Sequence, residues 1–185
     1  MQTLTVDVFV SVDGYAKGDD SPGYFGYDGP ELEEWINTEL ARPQLLVFGR
    51  RTYEVLAGMP AEALAASPMS GSDKVVFSRT LESTSWPRTR LCREDVVTEI
   101  TRLKADGDVP LRTVGSLSLA RQLCDAGLAD RLRLMTFPLF AGPTGSEPAF
   151  AGLAAGELEL VGHRVLDGRI LLAEYRPTGR DIPRL

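Results

Sequence analysis

The 185-residue sequence has a single histidine, His163, and only two cysteines, Cys92 and Cys124. A structural zinc site draws on a set of four His and Cys ligands, so metal chemistry of that kind is nearly excluded and no metal is expected. The two thiols are far apart and fall in different expected elements. No disulfide framework is expected, and a reducing cytoplasm is the compartment they suggest. Positive charge is also short: 20 Lys and Arg face 26 Asp and Glu, for a net charge of −6 and a pI near 4.9. A duplex nucleic-acid binder carries a basic patch, and this balance argues against one. It leaves room for a local basic pocket around a small phosphorylated ligand. The longest uncharged run, 134–146, contains Pro138, Gly142, Pro143 and Gly145. It is too short and too broken to span a bilayer. Met1-Gln2-Thr3-Leu4 shows neither a basic region nor a long apolar stretch, so no signal peptide is expected. Three motifs are missing too: G-x-S-x-G of serine hydrolases, G-x-x-x-x-G-K-[ST] of P-loops, and G-x-G-x-x-G opening a helix.

Apolar residues make up 43% of the chain and charged residues 25%, ordinary for a globular protein. One domain is expected over 1–185, with a core at 3–176 and a polar, frayed tail at 177–185. Leu4, Val6, Val8, Val10 and Val12 alternate with Thr5, Asp7, Phe9 and Ser11, which predicts a strand ending at Asp13-Gly14. Residues 15–30 form a long loop with Tyr15, Tyr24, Phe25 and Tyr27 interleaved. Two readings stand: a lid, or a connection whose aromatics cover the core edge or a partner. Pro30 and Glu31, Glu33 and Glu34 open a helix with its apolar stripe at Leu32, Trp35, Ile36 and Leu40. Residues 61–73 read as a loop holding at most a helical turn. A short strand at Leu91-Cys92 and a helix from Val96 follow, then a strand at 112–114, a helix after Ser116 and a strand from Arg131 to Phe137. Asp167-Gly168 joins the last two strands in a type I′ hairpin. Alternating strands and helices with a closing hairpin imply a mixed α/β sheet, whose ligands bind at the carboxyl ends of strands.

The chain is organised around residues 45–54. The run Leu45-Leu46-Val47-Phe48 stops at Gly49, and Arg50, Arg51 and Thr52 open a helix. A helix N-terminus is electropositive, so two arginines there break the usual preference. A bound anion would compensate them; the alternative is a solvated turn with both side chains in water. Two further strand ends look alike. Phe77 is followed by Ser78-Arg79-Thr80, and Val114 by Gly115-Ser116-Leu117-Ser118. If the strands are parallel neighbours, the three ends share a rim suited to a polyphosphate, and the surplus of arginine suits an extra phosphate on a ribose. Separately, Ser78-Arg79 reads equally as a turn and Gly115-Ser116 as a helix cap. Asp13 and Glu31 are the candidate acid/base carboxylates; a turn former and a helix-dipole partner are their structural readings. His163 lies in a strand and reads as structural or exposed.

Taken together, Ser11-Val12-Asp13-Gly14, Phe48-Gly49-Arg50-Arg51-Thr52-Tyr53-Glu54, Phe77-Ser78-Arg79 and Val114-Gly115-Ser116 resemble the dihydrofolate reductase-like superfamily. The runs from Leu123 to Leu132 and from Pro138 to Gly145 look like the reductase (C-terminal) domain of the bifunctional riboflavin-biosynthesis deaminase–reductase and its stand-alone relatives. The resemblance implies a three-layer, dihydrofolate reductase-like mixed eight-stranded sheet, flanked by about four helices and closed by a C-terminal antiparallel hairpin. It implies an NADPH-dependent reductase passing hydride to a small pterin-like or ribosylaminopyrimidine-like substrate, in a homodimer. By similarity, Gly49, Arg50, Arg51 and Thr52 would hold the adenosine-side phosphates, Ser78 and Arg79 the 2′-phosphate, and Gly115, Ser116, Leu117 and Ser118 the pyrophosphate. Asp13 would lie near the nicotinamide, Glu31 near the substrate, with Trp35 and Tyr15 as substrate-binding candidates. Ser116 stands where the family usually has a second glycine. A non-catalytic nucleotide-binding or sensor protein of the same fold is the competing reading.

Overall fold

In the computed structural model, residues 1–182 are described. Eight strands form one sheet: β1 (Leu4–Ser11), β2 (Leu45–Gly49), β3 (Asp73–Phe77), β4 (Thr89–Cys92), β5 (Leu111–Gly115), β6 (Arg131–Phe137), β7 (Leu158–Leu166) and β8 (Ile170–Pro177). Their spatial order is β4-β3-β2-β5-β1-β6-β8-β7. The first six run parallel, while β8 pairs antiparallel with β6 and β7 antiparallel with β8. Parallel neighbours need crossover connections, and helices α1 (Pro30–Ala41), α2 (Arg50–Ala57), α4 (Val96–Asp106) and α5 (Leu117–Asp125) lie in them.

A fifth helix, α3 (Ala61–Ala66), stands where the sequence suggested a loop. Four alanines supply its propensity, and Leu64 packs against the cluster of Phe48, Val76 and Trp86. The Asp167-Gly168 turn has the expected form: both residues have positive φ, and Arg169 N–H donates to Leu166 C=O. The start of the tail is ordered rather than frayed. Thr178 N–H donates to Glu157 C=O, Glu157 N–H donates to Arg180 C=O, and residues 183–185 lie outside the described residues. No helix among the described residues is long and apolar enough to cross a membrane.

The alternation in β1 serves two buried faces. Leu4, Val6, Val8 and Val10 pack with Ile100, Leu119 and Leu123 of α4 and α5. The other set, with Asp7 and Phe9, is turned to α1. Asp7 accepts from Arg112 of β5 (Nε, 2.6 Å) and from Arg133 of β6 (Nε, 2.7 Å), and Arg133 also pairs with Glu39 of α1. Trp35 lies against both guanidinium groups, its ring centroid 5.4 Å and 5.2 Å from their carbons. The start of α1 is closed by the distant hairpin. Asp167 carboxylate accepts from Glu31 and Leu32 N–H, both at 3.0 Å, and Glu31 carboxylate accepts from Asp167 N–H. Gly29 at the cap position contributes no side chain, so the hairpin turn does the capping.

Candidate functional site

The strand order makes β3, β2 and β5 consecutive and parallel, so their C-terminal ends do lie side by side. Gly49 and Gly115 bring the β2 and β5 ends into close approach. A Cβ on Gly49 would collide with Ser116 Oγ, and one on Gly115 would sit 2.8 Å from Thr52 Oγ1. Gly115 also has φ +111°, a region closed to other residues without strain. Ser116 itself is extended, with φ −92° and ψ 172°, so its Cβ brings no backbone strain. The room for its hydroxyl is provided by Gly49, and that hydroxyl lies 2.9 Å from Ser118 Oγ.

Helices α2 and α5 both begin at this junction. Neither has a side-chain cap, and neither carries an acid in its first turn. Helix α4, by contrast, is capped by Asp95, which accepts from Thr98 N–H at 3.0 Å. Two adjacent N-termini with free N–H groups form an electropositive concavity. The arginines divide. Arg50 pairs with Glu54 one turn on, at 2.9 Å, whereas Arg51 enters no ion pair among the described residues.

Beyond β2, a cavity of about 280 Å³ opens at the ends of β3 and β4, lined by Ser78, Arg79, Arg93, Glu94, Asp95 and Gln122 among others. Ser78 Oγ accepts from Thr80 and Leu81 N–H, which fixes the turn that presents Arg79. Arg93 reaches back to the carbonyls of Arg79 and Leu81, at 3.0 and 2.9 Å. Arg79 has no ion-pair partner among the described residues; the nearby Asp95 carboxyl is held below its ordinary value by hydrogen bonds from the Thr98 N–H and hydroxyl first, and least by the charge of Arg79. From the end of β3 to that of β1 is three strand spacings, roughly 14 Å at about 4.8 Å each.

The other expected residues are dispersed. Asp13 is exposed, and its carboxylate accepts from Ser11 Oγ (2.6 Å), Ala141 N–H (2.9 Å) and Gly142 N–H (2.8 Å). The Ser11 hydroxyl first, and then the two N–H groups, hold its pKa down at about 2. It therefore ties the loop after β6 to the end of β1 as a full carboxylate. Glu31 is engaged with the hairpin, Trp35 is 6% exposed beneath α1, and Tyr15 bridges to Pro148. The aromatics of the long loop cover the core edge: Tyr24, Phe25 and Tyr27 all contact the Phe137 ring, with centroids 6.2, 5.7 and 5.6 Å away.

A model of the RibD C-terminal domain matches residues 2–172. The chain belongs to that family. Among solved structures of RibD-like proteins, a candidate riboflavin biosynthesis protein of Shewanella sp. PV-4 superposes with a TM-score of 0.70 at 18% identity, covering 96% of this chain and 99% of that one. A pyrimidine reductase-like protein of Corynebacterium diphtheriae gives 0.69 at 14%, over 97% and 93% of the two chains. The Thermotoga maritima diaminohydroxyphosphoribosylaminopyrimidine deaminase/5-amino-6-(5-phosphoribosylamino)uracil reductase gives 0.68 at 14%, over 95% of this chain but 56% of that one. No curated protein matches the sequence. The RibD-like sheet order, with its closing hairpin, is thus established for this chain.

Four polar lining residues of the β3–β4 cavity, Arg93, Glu94, Asp95 and Gln122, were not proposed as site residues from the sequence. A signal for the first three was present. Arg93-Glu94-Asp95 follows the short strand Leu91-Cys92 as Ser78-Arg79-Thr80 follows Phe77, a fourth strand end of the same kind. Gln122 carried no such signal, because it reaches the cavity from the first turns of another helix.

Proposed function

We propose that this RibD-family chain is a reductase that binds NADPH along the strand-end rim and passes hydride to a C=N or C=O bond of a small heterocycle. The observation that carries this reading is the pair of uncapped, acid-free helix starts, α2 and α5, meeting at Gly49 and Gly115 beside an arginine-bearing cavity. A pyrophosphate fits that junction, because free N–H groups and the macrodipoles favour an anion there and the two glycines let it come close. Thr52 and Ser118 would add hydroxyl contacts, Arg51 the charge on the phosphates, and Ser78 with Arg79 the contacts to a ribose 2′-phosphate.

The bound dinucleotide would supply the hydride; the chain's part is binding, orientation and exclusion of water. Asp13 is already ionised and takes three donors, so it positions the Ala141–Gly142 loop, and water delivers the balancing proton to the reduced nitrogen or oxygen. The test is a fluorescence titration with NADPH and NADH. NADPH binding in the micromolar range is expected, and no binding of either at millimolar concentration refutes the assignment. The chain also acts as a homodimer in this reading. Val165 and Leu171, opposite each other on β7 and β8, are apolar side chains 56% and 42% exposed near the closing hairpin. Light scattering at micromolar concentration checks it, and a monomer would reject it.

A further inference from the structure

The turn after β3 is held from several sides. Within it, Ser78 Oγ accepts from Thr80 and Leu81 N–H. At its root, Ser78 N–H donates to Cys92 C=O at 3.0 Å, which extends the β3–β4 pairing beyond the end of β3. From outside, Arg93, the first residue after β4, donates from Nη1 to Arg79 C=O at 3.0 Å. Its Nη2 donates to Leu81 C=O at 2.9 Å and, at longer range, to Glu82 C=O at 3.4 Å. One guanidinium thus spans three carbonyls of the turn. Farther along the same connection, the Tyr53 hydroxyl of α2 accepts from Ser85 and Trp86 N–H, at 2.9 and 3.1 Å. The acceptors of Arg93 are carbonyls, and it enters no ion pair among the described residues, so no carboxylate neutralises it. Its planar fork reaches all three oxygens, which the single nitrogen of a lysine cannot do. The cavity beside the turn is lined by two guanidinium groups, Arg79 and Arg93, and by two carboxylates, Glu94 and Asp95. These charges balance, so net charge alone draws no anion in. What decides is whether a guanidinium stands at a fixed point nearer to the anion than the carboxylates do.

We propose that Arg93 is a positioning residue: by clamping the carbonyls of Arg79, Leu81 and Glu82 it fixes the turn that presents Arg79 to the phosphate on the ribose. This rests on the reductase reading for the identity of the ligand; the clamp itself does not. Arg93 acts through Arg79 rather than on the ligand, because both of its terminal nitrogens are turned to the backbone. A preset turn lowers the ordering cost of binding, and that gain goes to a ligand that uses Arg79. Arg93 therefore contributes to the choice between a dinucleotide with the extra phosphate and one without it.

Two measurements on the full chain test this. Amide hydrogen exchange needs no ligand: Arg93→Ala and Arg93→Lys are both expected to speed exchange at Thr80 and Leu81 by about tenfold. Unchanged exchange at those amides overturns the clamp. Fluorescence titration with NADPH and NADH then reads the consequence. Arg93→Ala is expected to weaken NADPH by about tenfold and NADH by no more than about twofold, with Arg93→Lys doing the same. In an Arg79→Ala background, Arg93→Ala is expected to cost nothing further, since a residue that works through another loses its effect with it. Losses that multiply in the double variant, or full NADPH affinity in Arg93→Lys, overturn positioning and make Arg93 a direct charge on the ligand. If the unaltered chain binds neither nucleotide, the reductase reading falls and the part of Arg93 in ligand choice falls with it, while the exchange result still decides the clamp.

Discussion

At the β3–β5 end of the strand rim, two helices begin with no side-chain cap and no acid, and Arg51 and Arg79 enter no ion pair among the described residues. At the β1–β6 end, the start of α1 is capped by Asp167, Asp13 is saturated with donors, and three aromatic rings cover Phe137. One region is left open to an anion; the other satisfies itself with its own side chains. The contrast teaches how a single sheet can divide its labour. In the reading proposed above, the open end receives a charged, solvent-borne group, and its polar groups can wait in water at little cost. The apolar end is closed by its own rings, because exposed aromatic surface there would favour association.

The contrast can be broken at several points. The largest effect is expected from Asp7→Ala. It leaves Arg112 and Arg133 buried with one carboxylate, Glu39, between them, and breaking such a buried arrangement costs about 3–5 kcal/mol. Urea melts should show this loss, while NADPH affinity of the folded fraction stays unchanged. Arg79→Ala comes next. Losing a charge-assisted contact is worth about 1.5–3 kcal/mol, so NADPH should bind roughly tenfold or more weakly in fluorescence titrations, with NADH much less affected. Equal losses for both nucleotides would remove the 2′-phosphate from that cavity. Gly49→Ala overpacks the junction against Ser116, at about 1–3 kcal/mol, and should weaken NADPH too. Gly49→Ala/Ser116→Gly should recover it, because the colliding hydroxyl is gone.

Asp167→Ala sharpens the comparison from the closed side. Loss of a helix cap costs about 1 kcal/mol, visible in a thermal melt and absent from nucleotide titrations. Acid gives the smallest effect. Asp13 is held at a pKa of about 2 by the Ser11 hydroxyl and two N–H groups, and Glu99 at about 2 by the hydrogen bonds and charges of Arg102 and Arg90. Both values are depressed from 3.8 and 4.5, so their stabilisation is complete above pH 4.5 and is lost as the pH falls toward 2. A pH titration of the melting temperature should fall through that window, and Glu99→Gln should flatten part of it.

Much of the open end was legible in the chain itself. An apolar run that stops at glycine and is followed by arginine or serine is a local pattern, and Phe48, Phe77 and Val114 each show it. The closed end was not, because its partners are distant in sequence. Asp167 caps a helix 136 residues earlier, and Asp7 meets Arg133 across 126. The alternation of β1 predicted a strand but not what covers each of its faces: α1 and the Tyr24 ring lie over the face of Asp7 and Phe9.

The sequence by itself determined the periodicities, the turn at Asp167-Gly168 and the three strand ends, since these depend on residues adjacent or a turn apart. Tertiary structure decided which strands are neighbours, that Gly49 makes room for Ser116, and that the Tyr24 ring packs on Phe9 and Phe137. Those outcomes depend on which surfaces meet when strands far apart in the chain pair. No local propensity encodes such a meeting.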